Sequence, residues 1–317
     1  MHGNNENRLH MKLTIHIGTT KTGSTSIQEF LAKNRETLLA QDVLYPMKLG
    51  PQHHVKATVA ALSYGKSPDL LKFCKIDTDE AHDEFRAQTS QALAQQIAQN
   101  PTVKHVVISS EHLHSRCVAP QDIQRFRDLF CQGFNKIEVI VYVRPQIDHM
   151  ASLFSTNLRH GFSGSIDDHI AAMLGPNNAA YFDLQAVITR WSAIFGRDAV
   201  IVRPFAAVDR KNGGAVKDFC QVAKIAIDGP KITQAVVRNE SINAIGQELL
   251  MIVNKGAGIP AHMRGEVVAW LEKRFTGSGF KPSASMCDAV RDRFAQSNAW
   301  VVATYFPDHP EYLQPRS

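Results

Sequence analysis

Leu13 to Leu31 reads LTIHIGTTKTGSTSIQEFL. Leu13 to Ile17 is apolar and largely β-branched apart from His16, which suits a short buried strand. Gly18 to Ser24 is small or polar except for Lys21. From Thr25 onward, Ile27, Phe30, Leu31 and Leu38 fall near one helical face. Ser24 or Thr25 is placed to cap that helix, with Gln28 three residues after Thr25 as in a capping box. Strand, glycine loop and helix N-terminus in this order present backbone N–H groups and a positive dipole end, and Gly18 and Gly23 let the backbone wrap closely around an anion. The stretch reads as a phosphate cradle.

The position of the lysine decides which cradle. A Walker A loop, G-x-x-x-x-G-K-[ST], places lysine after the second glycine; here Ser24 follows Gly23, and the lysine is Lys21, two residues earlier. The run Lys21-Thr22-Gly23-Ser24-Thr25 resembles the 5'-phosphosulfate loop of sulfotransferases that use 3'-phosphoadenosine 5'-phosphosulfate. A second stretch, VYVRPQIDHMASLFSTNLRHG, sets Arg144 at the end of a predicted strand and Ser152 eight residues later on the next helix. A guanidinium fork and a hydroxyl suit a terminal phosphate monoester. The sulfotransferases hold the 3'-phosphate of the donor with an arginine and a serine at this spacing.

The resemblance, to bacterial and carbohydrate-type sulfotransferases, implies the site. Gly18, Thr19, Thr20, Lys21, Thr22, Gly23, Ser24, Thr25 and Ser26 would hold the phosphosulfate, with Lys21 also stabilising the leaving group, and Arg144 and Ser152 the 3'-phosphate. Arg238 would close that site as a late basic residue. After the strand predicted at Val103 to Ile108 comes Ser109-Ser110-Glu111-His112, like the S-E-H run of the bacterial proteins. An attacking hydroxyl must lose its proton, and Glu111 is the expected base with His112 beside it. His53 and His54 are expected to line the acceptor site. The donor needs no metal, since lysine and backbone dipoles neutralise the leaving group.

Beyond these motifs, strands at Val43 to Tyr45, Ile137 to Val143 and Ala199 to Val202 alternate with helices at Asp79 to Gln99, Pro120 to Phe130, Gln146 to Leu158 and Asp183 to Phe195. Past Arg238 only helices are expected, near Ile242 to Val253, Arg264 to Phe275 and Ser285 to Ala295. The expected architecture is α/β: a P-loop-like three-layer fold, its mainly parallel sheet flanked by helices, with a helical C-terminal extension. Residues 1–10 read as a flexible tail and 11–317 as one domain, of which 239–317 is helical.

At 317 residues with 44% hydrophobic and 21% charged content, the chain is of ordinary globular composition. A net charge of +5 favours anionic ligands but is too small to indicate nucleic acid. Five cysteines without a C-x-x-C pair indicate neither a disulfide framework nor a zinc site. With no signal-peptide pattern and no long apolar run, the expectation is a cytoplasmic protein without integral membrane segments. Two other function classes remain open. A P-loop kinase would need the Walker lysine and an acidic residue to organise Mg²⁺. A non-catalytic nucleotide- or carbohydrate-binding protein would keep the fold without the chemistry.

Overall fold

The computed structural model describes residues 11–208, 213–227, 232–233, 242–256 and 262–315. In chain order the elements are β1 (Lys12–Gly18), α1 (Ser24–Lys33), α2 (Arg35–Leu39), β2 (Val43–Leu44), α3 (Val55–Ala61), α4 (Pro68–Phe73), α5 (Asp79–Ala98), β3 (His105–Ser109), α6 (Glu111–Arg116), α7 (Pro120–Phe130) and β4 (Lys136–Val143). Then follow α8 (Gln146–Arg159), α9 (Ile166–Met173), α10 (Pro176–Phe182), α11 (Leu184–Phe195), β5 (Val200–Pro204), α12 (Gly214–Ala223), α13 (Ala244–Asn254), α14 (Arg264–Arg274) and α15 (Ala284–Tyr305). They form two compact units, one of residues 1–143 with 185–237, the other of 144–184 with 238–317.

The first unit is built on a sheet of order β2-β3-β1-β4-β5, parallel throughout. Parallel strands need helical crossovers that cover the sheet, so both faces are buried and the strands read as nearly continuous apolar runs. Side chains alternate across β1: Leu13, Ile15 and Ile17 point one way and Thr14 and His16 the other, and all five are fully buried. On the His16 face, Val107, Ile140 and Tyr142 pack with Ile27, Phe30 and Leu31 of α1 and with Val216 and Phe219 of α12. The order reverses between β1 and β4. A parallel α/β sheet opens its ligand crevice at the carboxyl ends of such a pair. The β1–β4 register slips between His16 and Gly18, so the strand bends just before the glycine loop.

The second unit is helical. Its core joins Ile147, Met150, Phe154 and Leu158 of α8 to Ile166 and Ile170 of α9, Leu250 of α13, Leu271 of α14, and Val290 and Phe294 of α15. The chain leaves β4 for α8, returns through α11 and β5 to the first unit, and ends in α13 to α15. The helix read from the sequence at Gln146 to Leu158 is therefore grouped with the C-terminal helices rather than with the sheet. α15 also extends ten residues past the predicted Ala295. Its buried residues, Val290, Phe294, Ser297 and Val301, form a narrow stripe that includes a serine, too sparse to register as a periodic apolar pattern.

Candidate functional site

The glycine loop is shaped by its own hydroxyls. Thr19 donates from N and from Oγ1 to Tyr142 O on β4, at 3.2 and 3.1 Å. Thr22 Oγ1 and Ser24 Oγ both donate to Thr19 O, at 2.6 and 3.1 Å. The Thr19 hydroxyl thus ties the loop to β4 while those of Thr22 and Ser24 close it on itself, and what Thr22 and Ser24 can offer an anion is backbone N–H. Thr20, Lys21 and Ser26 are half-buried and Thr25 is exposed. Gly18, Lys21 and Gly23 adopt positive φ of 105, 62 and 86°, and such left-handed turns curl successive N–H groups toward one concavity.

The predicted capping box does not form. Gly23, left-handed, occupies the N-cap of α1, with no side-chain cap. Thr25 thus falls within the first turn, and the Gln28 amide is used elsewhere: its Nε2 donates to Glu111 Oε2 at 2.6 Å.

Glu111 opens α6 directly after β3, the neighbour of β1 in the sheet. A Cβ placed on Gly18 would stand 3.4 Å from both Cα and Cβ of Glu111, so the Glu111 backbone packs on the first residue of the loop. Burial by itself would raise the Glu111 carboxyl; the Gln28 bond, its own backbone N–H and the nearby His112 and His53 outweigh it and hold the group below the usual carboxylate range. Glu111 is therefore ionised at neutral pH. His112 is pushed down from the ordinary imidazole value by burial, against the pull of Glu111, and is neutral there. The His53 ring lies 5.7 Å from the His112 ring.

The structure thus brings together the Lys21 loop, Gln28, Glu111, His112 and His53, with His54 enclosed beside them. His54 is fully buried, packs 4.3 Å from the Tyr45 ring, and accepts at Nδ1 from Ser109 N–H at 3.1 Å. That bond puts the proton of the neutral ring on Nε2, and burial lowers its pKa to about 3. Its own backbone N–H donates to Ser109 O at 2.9 Å, so His54 is held at the carboxyl end of β3 with its ring enclosed. His16 is buried likewise, with Nδ1 2.8 Å from Ser109 Oγ and burial lowering it to about 4.

Arg144 and Ser152 belong to the second unit. Arg144, half-buried, directly follows β4 and precedes the N-cap Pro145 of α8. Ser152 lies within α8, roughly 9 Å along its axis from the first residue at 1.5 Å per residue. Arg238 lies outside the described residues. A surface cavity of about 450 Å³, lined by Tyr64, Leu71, Lys72, Lys75 and Ile76, lies along α4 and shares no residue with the loop. No helix among the described residues is long and apolar enough to cross a membrane.

The residue that sequence reasoning missed is Gln28. Its neighbours in sequence suggest only a cap, because its partner is 83 positions away.

No protein-family model and no curated protein sequence matches the chain. Among solved structures, a sulfotransferase from Alicyclobacillus acidocaldarius superposes with a TM-score of 0.51 at 13% identity, covering 92% of this chain and 94% of that one. The sulfotransferase domains of the Synechococcus PCC 7002 olefin synthase (13% identity, 83% and 94% covered) and of the curacin biosynthetic pathway (12%, 89% and 96%) reach only 0.36 and 0.39, too low to speak to the fold. With its all-parallel sheet and the glycine loop after β1, this chain has a sulfotransferase-like fold.

Proposed function

We propose that the chain is a sulfotransferase that moves the sulfuryl group of 3'-phosphoadenosine 5'-phosphosulfate to an acceptor hydroxyl, on a carbohydrate or glycolipid. The observation that carries this reading is Glu111 packed against Gly18, with Gln28 on its carboxylate, which would set a proton acceptor beside the glycine loop whose lysine matches the sulfotransferase pattern. In the reaction the acceptor oxygen attacks sulfur in line, the bond from sulfur to the bridging oxygen of the 5'-phosphate breaks, and the hydroxyl proton passes to Glu111. A carboxylate held below its usual pKa takes that proton only once the oxygen has begun to bond to sulfur and become acidic. The products are a sulfate ester and adenosine 3',5'-bisphosphate.

Lys21 and the backbone of Gly18 to Ser26 bind the phosphosulfate. Lys21 also faces the charge that grows on the leaving oxygen, an interaction stronger in the transition state than in the ground state. Arg144 and Ser152 take the 3'-phosphate, a role supported by their spacing after β4; Arg238 is assigned there from sequence alone. His112 and His53 flank the base and face the acceptor.

The test is calorimetric titration with adenosine 3',5'-bisphosphate, without Mg²⁺, of the parent and of Arg144→Ala. The expected result is micromolar binding, weakened at least thirtyfold in the variant, about 2 kcal/mol or more for removing one partner of a charged pair. Binding of ATP with Mg²⁺ and not of the bisphosphate would overturn the reading in favour of a kinase. Bisphosphate binding with no transfer of labelled sulfuryl group to any hydroxyl in an acceptor screen would indicate a binding protein.

A further inference from the structure

We infer that Gln28 is the positioning residue of the base: its amide, carried on the helix that the glycine loop feeds, holds the Glu111 carboxylate in the orientation the reaction needs. The inference rests on the proposed sulfotransferase reading and deepens it. The geometry is direct. Gln28 is 1% exposed and sits on the second turn of α1, and its Nε2 lies 2.6 Å from Glu111 Oε2. An ionised carboxylate only accepts, so the amide edge facing it is the NH₂ group. The contact joins β1's crossover helix to the start of α6, whose Glu111 backbone also lies on Gly18.

One helix therefore serves both partners of the chemistry. Its N-terminus ends the Lys21 loop, and its second turn grips the base. A displacement of α1 that opened the loop would also pull the amide from the carboxylate, so base and donor site are aligned together. A glutamine suits this place better than a lysine or arginine. A cation would form a salt bridge and lower the proton affinity of Glu111 further, whereas a neutral amide fixes the side chain and leaves it able to accept a proton.

Titratable groups facing Glu111 include His112 on its own helix, His53 from the segment before α3, His16 from β1 and Tyr45 after β2. Of these, His112 and His53 favour the ionised carboxylate. None is a hydrogen-bond partner of its oxygens among the described contacts.

The test follows the Glu111 carboxyl by NMR in protein labelled with ¹³C at the glutamate side chains, titrated across roughly pH 3–7. The resonance absent from Glu111→Gln identifies the group. In Gln28→Met, which keeps the length and removes the donor, the midpoint is expected to move up; Gln28→Glu, which brings a like charge, moves it further and serves if the first variant does not fold. With an acceptor found by the screen, the acid limb of the kcat–pH profile should move the same way, and kcat should fall roughly tenfold, the weight of one bond to a charged group, with little change in KM for the donor. An unmoved Glu111 midpoint in Gln28→Met overturns the inference. Bisphosphate binding by the parent separates the two readings. Binding with an unmoved midpoint removes the role of Gln28 alone, whereas no binding removes the sulfotransferase reading whatever the midpoint does.

Discussion

Gly23 stands where the glycine loop becomes α1, and two constraints meet there. Its φ is +86°, and a Cβ on it would come within 2.5 Å of the Ala215 Cβ on α12. Gly65 offers the comparison: its φ is +81°, with nothing within 4 Å of an added Cβ. Gly65→Ala should therefore cost only the left-handed strain, about 1 kcal/mol, and Gly23→Ala about 2–4 kcal/mol, the excess being overpacking against Ala215. Urea unfolding of both variants measures the difference. The second glycine was legible as the turn into α1, but its contact with α12, nearly two hundred residues away, was not. The same holds for Gln28. Its local pattern pointed to a capping box, and the tertiary fold gave its amide to Glu111.

At the scale of elements, α8 shows what burial adds to periodicity. Gln146 to Leu158 was readable because Ile147, Met150, Phe154 and Leu158 recur at helical spacing, and all four are buried. Phe154 is completely enclosed, with Phe162, His169 and Phe280 rings around it at 5.7 to 6.5 Å. Phe154→Ala should destabilise the protein by about 3–5 kcal/mol through the cavity it leaves, seen as a lowered denaturant midpoint. The elements that escaped notice had weaker signals. α9 does carry a readable one, Ser165 with Asp168 three residues on, and the structure forms that capping box in both directions. α12 starts at paired glycines, which read as a turn.

For the molecule as a whole, buried histidines set the acid limit of stability. His16 and His105 are held near 4 and His54 near 3 by burial, against an ordinary value of 6.5. Each has a folded pKa below its unfolded one, so its contribution is intact above pH 6.5. Below that the unfolded chain takes up protons that the folded chain refuses, and stability falls until the folded pKa is reached. For His16 the loss approaches roughly 3 kcal/mol at about 1.4 kcal/mol per pH unit. Glu111, held below 4.5, adds a loss in the same direction at lower pH. Melting temperature should therefore drop steeply from pH 7 toward pH 4, and His16→Asn should flatten that profile. An unchanged profile would mean that His16 accepts a proton in the folded state.

The α/β alternation, the position of each strand to within two residues, and the glycine loop with its displaced lysine were all legible locally in the sequence. These are local: strands buried on both faces must be apolar, and a loop that wraps an anion needs glycines beside a helix start. Only the tertiary structure decided which polar residues meet. Parallel pairing placed β3 beside β1 and so set the Glu111 backbone on Gly18, turned Gln28 from a cap into a partner of the Glu111 carboxylate, and enclosed His54 at the end of β3 while leaving His53 near His112. It also grouped α8 with the C-terminal helices. Contacts across many tens of residues depend on strand order and register, and no local run of residues records them.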